Sequence, residues 1–191
     1  TSSIGCIVLA AGSSKRFGAD KRQARFADGT TLLQTTLNSI PATFRHRILV
    51  VRPGDEELGK AFAAYWQVIS ADEADKGMGK SLAAAMAYTD DWQGAVIALA
   101  DMPLVQTATY LAIAEQLAPA SLVVPYYQGF RGNPVGIGRH YFSRLAGLQG
   151  DKGARALLHE AASAVTRLDL DDPGILRDID TPEAFNSLQG L

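Results

Sequence analysis

The chain has 191 residues, of which 47% are hydrophobic and 20% charged, and a formal net charge of -2. This size and composition predict one globular domain over residues 1–191 and exclude a disordered chain. The small negative charge argues against general nucleic-acid binding, which needs a basic surface. No apolar run approaches the roughly 18 residues of a membrane helix. Since the start of the chain also lacks a signal-peptide pattern, we expect a cytoplasmic protein.

Short apolar runs alternate with stretches of helical spacing through the first two thirds of the chain. The runs do not alternate with polar residues, which is typical of parallel strands covered on both faces. The predicted strands are 6–9, 48–51, 95–99 and 122–124, and the predicted helices are about 32–40, 56–65, 81–89 and 107–117. This order predicts a Rossmann-like α/β fold, with a mostly parallel sheet and helices on both faces. Beyond Pro125, clustered glycines predict turns and a small β-hairpin lobe.

The first predicted strand runs into a loop of small residues followed by cations. In such sheets, ligands bind beyond the carboxyl ends of the strands. Small residues let backbone N–H groups approach an anion, and lysine and arginine add positive charge. The loop has both kinds of residue: Ala10, Ala11, Gly12, Ser13 and Ser14, then Lys15, Arg16 and Lys21. We therefore expect a polyphosphate here, against the alternative of a solvated connection without a ligand.

Two other phosphate motifs fit less well. The dinucleotide fingerprint G-x-G-x-x-G is absent from the first loop, because Gly12 is followed by two serines. Residues 74–81, ADKGMGKS, imitate a P-loop except that Ala74 replaces the first glycine, which makes the tight turn. A P-loop phosphotransferase therefore stays as an alternative.

Asp101 directly follows the predicted strand 95–99 and Ala100, and Pro103 stiffens the turn after it. A carboxylate at the carboxyl end of a central strand suits Mg²⁺, which binds through one or two carboxylates plus substrate phosphates. An ordinary turn is the alternative for this segment.

Together these segments resemble the nucleotidyltransferases of the molybdenum-cofactor type. Residues 9–21, LAAGSSKRFGADK, are similar to the signature L-A-A-G-x-S-x-R-M-G-x-x-K, with Phe17 in place of methionine. Four further segments match in order: DMP at 101–103, GNPV at 132–135 for G-H-P-V, GDKGAR at 150–155, and DIDTPE at 178–183. The resemblance is strongest to the molybdenum cofactor cytidylyltransferases. Ala11, where guanylyl relatives usually carry glycine, favours CTP over GTP.

The resemblance implies Mg²⁺-dependent transfer of CMP from CTP to the phosphate of molybdopterin, with release of pyrophosphate. The alternatives are a guanylyl- or cytidylyltransferase for another phosphorylated small molecule and a non-catalytic nucleotide-binding module. A molybdenum hydroxylase or its chaperone is the implied partner.

It also implies roles for individual residues. The nucleotide would contact Leu9, Ala10, Ala11, Gly12, Ser13, Gly77, Met78 and Ser81. Arg16 and Lys21 would hold its phosphates, and Asp101 with Asp180 would hold Mg²⁺, with Asp178 as the less favoured ligand. For Asp180 the alternative is a helix cap, although Thr181 can fill that position. The acceptor would contact Asn133, Pro134, Asp151 and Arg155, the last two being otherwise an i,i+4 pair on a solvated helix.

Overall fold

The computed structural model describes residues 3–150 and 153–189, which form one eight-stranded sheet with helices on both faces. The strands are β1 (Ile4–Leu9), β2 (Arg47–Val51), β3 (Gln67–Ser70), β4 (Gly94–Leu99), β5 (Leu122–Tyr127), β6 (Phe130–Arg131), β7 (Val135–Gly138) and β8 (Val165–Asp169). Their spatial order is β3-β2-β1-β4-β7-β5-β6, and β8 pairs with β5.

The sheet is mostly parallel because only β6 and β7 run against the other strands. β1 pairs in parallel with β2 and β4, β2 with β3, and β5 with β8. β7 lies antiparallel between β4 and β5, and β6 closes a hairpin with β5. β1 and β4 are almost wholly buried, as expected of central strands.

Seven α-helices cover the sheet: α1 (Leu32–Ser39), α2 (Glu56–Lys60), α3 (Met78–Met86), α4 (Thr107–Gln116), α5 (Phe142–Ala146), α6 (Ala154–Glu160) and α7 (Pro182–Asn186), counted over the described residues. Apolar residues of α1 and α4 pack on one face of the sheet, and those of α3, α5 and α6 pack on the other. The two clusters confirm helices on both faces. Cys6 lies fully buried in the first cluster, and burial raises the pKa of its thiol.

The structure differs from the predicted elements in several ways. The predicted helix 56–65 ends at Lys60, where turns carry the chain into β3, a short strand that the sequence did not indicate. α3 begins at Met78 rather than residue 81, because Gly77 has φ of 114°, a conformation suited to glycine. The expected hairpin is present, but it belongs to the main sheet: β6 pairs antiparallel with the end of β5, and β7 lies between β4 and β5.

Four loops follow the parallel strands β1 to β4 and meet at the carboxyl edge of the sheet. They begin at Ala10, Arg52, Ala71 and Ala100. This edge holds the side chains described next. Among the described residues, no helix combines the length and apolar character that a membrane crossing needs.

Candidate active site

A cleft of about 780 Å³ opens at the carboxyl ends of β1, β3 and β4. Its walls come from the loop after β1, the segment before α3, the turn after β4 and the chain just before α7. The lining includes Leu9, Ala10, Ala11, Gly12, Ser13, Arg16, Lys21, Gly77, Met78, Ser81, Asp101 and Asp180. All of the residues expected to contact the nucleotide or the metal therefore lie around one cavity.

The loop after β1 presents backbone donors to this cleft. Ala10 donates its N–H to Val50 in the neighbouring strand, but the N–H groups of residues 11–16 donate to no backbone carbonyl of the described chain. Ser14 adopts a left-handed φ of 52°, which turns the loop, and its buried hydroxyl has no hydrogen-bond partner among the described residues. Successive free N–H groups in such a turn form an anion-binding concavity.

Lys21 lies at the base of the cleft between two carboxylates. Its ammonium Nζ is 2.7 Å from Asp101 Oδ2 and 2.7 Å from Asp180 Oδ1. Arg16 approaches the other oxygen of Asp180 at 2.5 Å, with 74% of its own side chain exposed. One ammonium therefore links the end of β4 to the chain before α7, while Arg16 has the freedom to move onto a ligand.

A third carboxylate, that of Asp178, lies close to the two that contact this ammonium. Asp101, Asp178 and Asp180 each offer an oxygen, and these atoms lie within 4.8 Å of one another. Asp101 Oδ1 is buried without a hydrogen-bond partner in the described structure, an expensive arrangement that a cation would relieve. Oxygen donors of this kind suit a hard divalent ion, so the residues fit the expected metal.

The carboxylates differ in their tendency to ionise. Burial raises the pKa of Asp178, and the neighbouring carboxylates of Asp180 and Asp101 raise it further. Burial also acts to raise the pKa of Asp180, but the ammonium of Lys21 outweighs it and the pKa is lowered. Burial alone would lower the pKa of Lys21, yet Asp101 and Asp180 raise it, so this lysine is charged.

Arg22, which the sequence analysis did not identify, anchors the loop after β1 through buried hydrogen bonds and ion pairs. Its side chain is 4% exposed, and its guanidinium forms bidentate ion pairs with Asp20 and Asp55 at distances from 2.5 to 2.9 Å. Its Nη1 also donates to the Ala10 carbonyl at 2.7 Å. All five guanidinium N–H groups are thus used.

This guanidinium joins both ends of the loop. Ala10 begins the loop and Asp20 nearly ends it, while Asp55 belongs to the turn after β2. The C=O and N–H of one trans peptide point in opposite directions, so the bond to Ala10 directs the N–H of Ala11 away from Arg22. The same anchor sets the backbone position of Lys21, the next residue.

The Arg22 cluster is strongly ionised. Hydrogen bonds from Arg22 lower the pKa of Asp20 to about 2. Burial opposes ionisation of Asp55, but the bonds from Arg22 lower its pKa as well. The only sequence signals were an aspartate two residues before Arg22 and another shortly after a strand, neither of which is specific.

The segment that imitates a P-loop borders the same cleft, but its lysine is engaged elsewhere. Lys80 pairs with Glu73 at 2.9 Å and does not line the cavity. The N–H of Gly79 donates to the Gly150 carbonyl at 2.8 Å, so it too is used within the protein. Gly77, Met78 and Ser81 remain as the lining residues of this segment.

Three of the residues expected to contact the acceptor, Asn133, Pro134 and Arg155, do not line the cleft. Asn133 is half-buried and donates its N–H to the Ile175 carbonyl, and Pro134 is buried beside it. Arg155 is exposed on α6. Asp151 lies outside the described residues, so its expected acceptor contact and the alternative pairing with Arg155 both stay predictions.

Comparison with known proteins places this arrangement in a family. Residues 6–165 match the model of the MobA-like NTP transferase domain. The purine catabolism protein PucB of Bacillus subtilis is 32% identical over 199 residues, covering 96% of this chain and 94% of that protein. The nicotine blue oxidoreductase of Paenarthrobacter nicotinovorans is 24% identical over 192 residues, covering 95% and 94%.

A solved structure of similar fold contains a metal. The manganese complex of Rv0371c from Mycobacterium tuberculosis aligns with a TM-score of 0.79 and 27% identity, covering 99% of each chain. The domain match covers the loop after β1, residues 10–21, and Asp101. The similarity to PucB extends over nearly the whole chain. The chain therefore belongs to the MobA-like NTP transferase family and is a nucleotidyltransferase.

Proposed function

We propose that this nucleotidyltransferase moves CMP from CTP to the phosphate of molybdopterin, with Mg²⁺, and releases pyrophosphate. The observation that carries the proposal is the meeting, in one cleft, of free backbone donors, the cations of Arg16 and Lys21, and the carboxylates of Asp101 and Asp180. In the reaction an acceptor phosphate oxygen bonds to the α-phosphorus of CTP, and the bond from that phosphorus to the oxygen bridging the α- and β-phosphates breaks.

The loop after β1 supports the nucleotide half of the proposal. Its free N–H groups from Ala11 to Arg16 can donate hydrogen bonds to phosphate oxygens, and its small side chains allow close approach. Ala11 is 7% exposed and adds a methyl group where guanylyl relatives usually carry glycine. Because Ala11 lines the cleft, this methyl group leaves less room for a base than glycine would, which favours a pyrimidine over the larger purine.

Arg16 and Lys21 supply the electrostatic part of catalysis. Negative charge grows on the leaving pyrophosphate as the bond breaks, and fixed cations in a cleft stabilise it more strongly than they stabilise the ground state. Arg16 is exposed enough to swing from Asp180 to a phosphate. Lys21 could interact with the phosphates once Mg²⁺, rather than its ammonium, neutralises Asp101 and Asp180.

Asp101 and Asp180 are the proposed holders of Mg²⁺, with Asp178 beside them. When bound, the ion would neutralise phosphate charge and orient the triphosphate. The clustered oxygens, the unpartnered Asp101 Oδ1 and the manganese complex of the Rv0371c relative support a divalent ion. Displacement of Lys21 from the two carboxylates would free its ammonium for the phosphates.

The acceptor side stays a proposal based on resemblance. Asn133, Pro134, Asp151 and Arg155 match the family segments for the second substrate, and Gly150 contacts the start of α3 through Gly79. This contact connects the 150–155 segment to the nucleotide cleft. A molybdenum hydroxylase or its chaperone is the proposed recipient of the product.

Pyrophosphate release tests this function directly. Purified protein is given CTP or GTP with Mg²⁺, with molybdopterin, with other phosphorylated small molecules, or with no acceptor. We expect release with CTP and molybdopterin together. Release with GTP would move the chain to the guanylyl branch, and release with another acceptor would replace molybdopterin.

The name of the second relative supplies a redox alternative. A redox enzyme using a nicotinamide cofactor would consume NADPH, and its loop would be expected to carry the G-x-G-x-x-G fingerprint, which is absent after β1. Oxidation of NADPH in the same preparation, without pyrophosphate release, would favour that alternative.

A further inference from the structure

A second cavity, of about 350 Å³, lies at the opposite edge of the sheet. It opens where the chain enters β2, β3 and β4, whereas the nucleotide cleft lies where β1, β3 and β4 end. Its lining is Arg45, His46, Arg47, Ala63, Ala64, Tyr65, Trp66, Gln67, Tyr88 and Trp92. None of these residues belongs to the site already described.

The cavity carries basic side chains. Arg45, His46 and Arg47 are consecutive, and no carboxylate within residues 3–150 and 153–189 lines the cavity with them. In the described part of the chain, neither arginine forms a salt bridge, and Arg47 Nε is buried without a hydrogen-bond partner. Unsatisfied guanidinium donors at a cavity wall are suited to carboxylate or phosphate.

Aromatic side chains form much of the rest of the wall. The guanidinium of Arg47 lies 5.4 Å from the centre of the Trp66 ring, and the His46 ring lies 5.8 Å from that of Trp92. Tyr65 and Tyr88 are 73% and 50% exposed, although both are large and partly apolar. Flat exposed rings beside cations provide stacking surfaces for a planar ligand.

The Trp92 side chain packs directly against the central sheet. Gly5 in β1 lies directly beneath this indole, and a Cβ at Gly5 would be 2.1 Å from the ring. The ring can therefore lie on the strand only because residue 5 has no side chain. This close packing makes the wall of the cavity a fixed surface.

We propose that this cavity binds a small aromatic anion, a planar ring bearing a carboxylate or phosphate. The volume lies in the range of small-molecule pockets and exceeds what inorganic phosphate would fill. The two arginines, Arg45 and Arg47, are separated by one residue and line one cavity, which matches one compact anionic group better than charges spread along a peptide. The ligand site is separate from the nucleotide cleft.

The tryptophans give this site its own signal. The chain has two tryptophans, and both line the cavity. The two indoles are 6% and 4% exposed, so a nitroaromatic ligand that stacks on Tyr65 or Tyr88 would lie beside them and quench their fluorescence. A ligand in the nucleotide cleft, at the other end of the strands, would lack contact with either ring. The probes are para-nitrophenyl phosphate and para-nitrobenzoate, with uncharged para-nitrobenzyl alcohol and inorganic phosphate as controls.

We expect saturable quenching by both anionic probes, with dissociation constants of about 1 mM or below. The uncharged alcohol should quench only in proportion to its concentration, and inorganic phosphate should compete weakly. Quenching that never saturates, or that is equal for the alcohol and the anions, would overturn the proposal. So would quenching by an acidic peptide alone.

Substitutions locate the binding. Arg45→Gln and Arg47→Gln should each weaken probe binding about tenfold, the usual effect of losing a charge-assisted hydrogen bond. Arg45 is exposed, so its variant folds even if Arg47→Gln proves unstable. Arg131→Gln, which removes an exposed arginine on β6, and Lys21→Met in the nucleotide cleft should leave probe binding unchanged. Binding that depends on Lys21 rather than Arg45 would place the probe in the cleft and refute a second site.

Discussion

The two edges of the central sheet carry opposite arrangements of charge. At the carboxyl edge, Lys21 and Arg22 each lie between two carboxylates. At the amino edge, Arg45 and Arg47 have no carboxylate partner within the described residues, and they lie beside aromatic rings instead.

This difference shows how strongly each edge depends on its individual charges. Removing one member of a buried, paired cluster leaves its partner as an uncompensated charge, which costs several kcal/mol. Removing an unpaired surface cation leaves no such partner. We therefore expect large effects on activity and folding at the carboxyl edge, and at the amino edge effects only on ligand binding.

Asp101→Ala should have the largest effect on turnover. Loss of a carboxylate that holds the metal is expected to reduce pyrophosphate release at least a hundredfold, that is by about 3 kcal/mol or more. Folding should survive, because Asp101 is only partly buried at the end of a strand. Asp169→Ala, at an exposed pair with Arg167, is the matched control and should retain activity. Near-normal turnover in Asp101→Ala would remove the metal assignment.

Arg22→Met should have the largest effect on folding. It leaves Asp20, Asp55 and the Ala10 carbonyl without their buried donor, so we expect a loss of about 3–5 kcal/mol in unfolding free energy by denaturant titration. Arg22→Lys should keep part of the stability but raise the KM for CTP, since one ammonium cannot hold both ends of the loop.

Asp172 provides the control for Arg22. It is 2% exposed and accepts hydrogen bonds from Gln106, Thr109 and Gly174, away from the cleft. Asp172→Asn should lower stability while the KM for CTP stays constant. If Asp172→Asn raised the KM for CTP as much as Arg22→Lys does, the KM change in Arg22→Lys would be a general consequence of lower stability.

Lys21→Met should separate metal binding from turnover. The ammonium lies between the carboxylates proposed to hold the metal, so its removal should strengthen Mn²⁺ binding in the absence of nucleotide by about tenfold. Turnover should fall, because the same ammonium serves the phosphates. Calorimetric titration with Mn²⁺ measures the first effect, and weaker binding in the variant would contradict it.

The Arg22 cluster should also appear in the pH dependence of stability. Hydrogen bonds from Arg22 hold the pKa of Asp20 at about 2, below its usual 3.8. A carboxyl whose pKa is lowered by folding stabilises the protein above its unfolded pKa, and this contribution is lost as pH falls through the folded value. Unfolding free energy should therefore decline less steeply between those two values in Asp20→Asn than in the natural protein. Equal slopes would show that the pair has no such effect.

Arg45→Gln should have the smallest effect on folding. Arg45 is exposed and forms no salt bridge in the described structure, so the change in unfolding free energy should stay within about 0.5 kcal/mol. Denaturant titration measures this change. A larger loss of unfolding free energy would show that the amino edge, like the carboxyl edge, depends on paired charges for stability.

The sequence predicted the donor side of the site better than the rest. Local pattern placed the loop 10–21 and Asp101 at the carboxyl ends of strands, and the family resemblance added Asp180; the structure places all of them around one cleft. Arg22 was missed because its partners Ala10 and Asp55 become neighbours only through the pairing of β1 with β2.

Prediction of the strands from the sequence also succeeded only where the local pattern was clear. The long buried strands β1, β2, β4 and β5 were predicted within a few residues, because covered strands are continuously apolar. β8 was missed because it lies at the sheet edge and its residues are mostly exposed, so the sequence VTRLD shows no apolar run. β7 is short and glycine-rich, and its Gly138 allows the close approach of the Ala118 and Pro119 carbonyls.

Thermal stabilisation by nucleotides tests the central claim most directly. The unfolding temperature is measured with CTP, GTP, ATP and UTP, each with and without Mg²⁺, because a ligand that binds only the folded state raises its stability. We predict the largest increase with CTP and Mg²⁺ together, and loss of the Mg²⁺-dependent part in Asp101→Ala. No increase with any nucleotide, in the presence or absence of Mg²⁺, would contradict the assignment of this cleft as a metal-assisted nucleotide site.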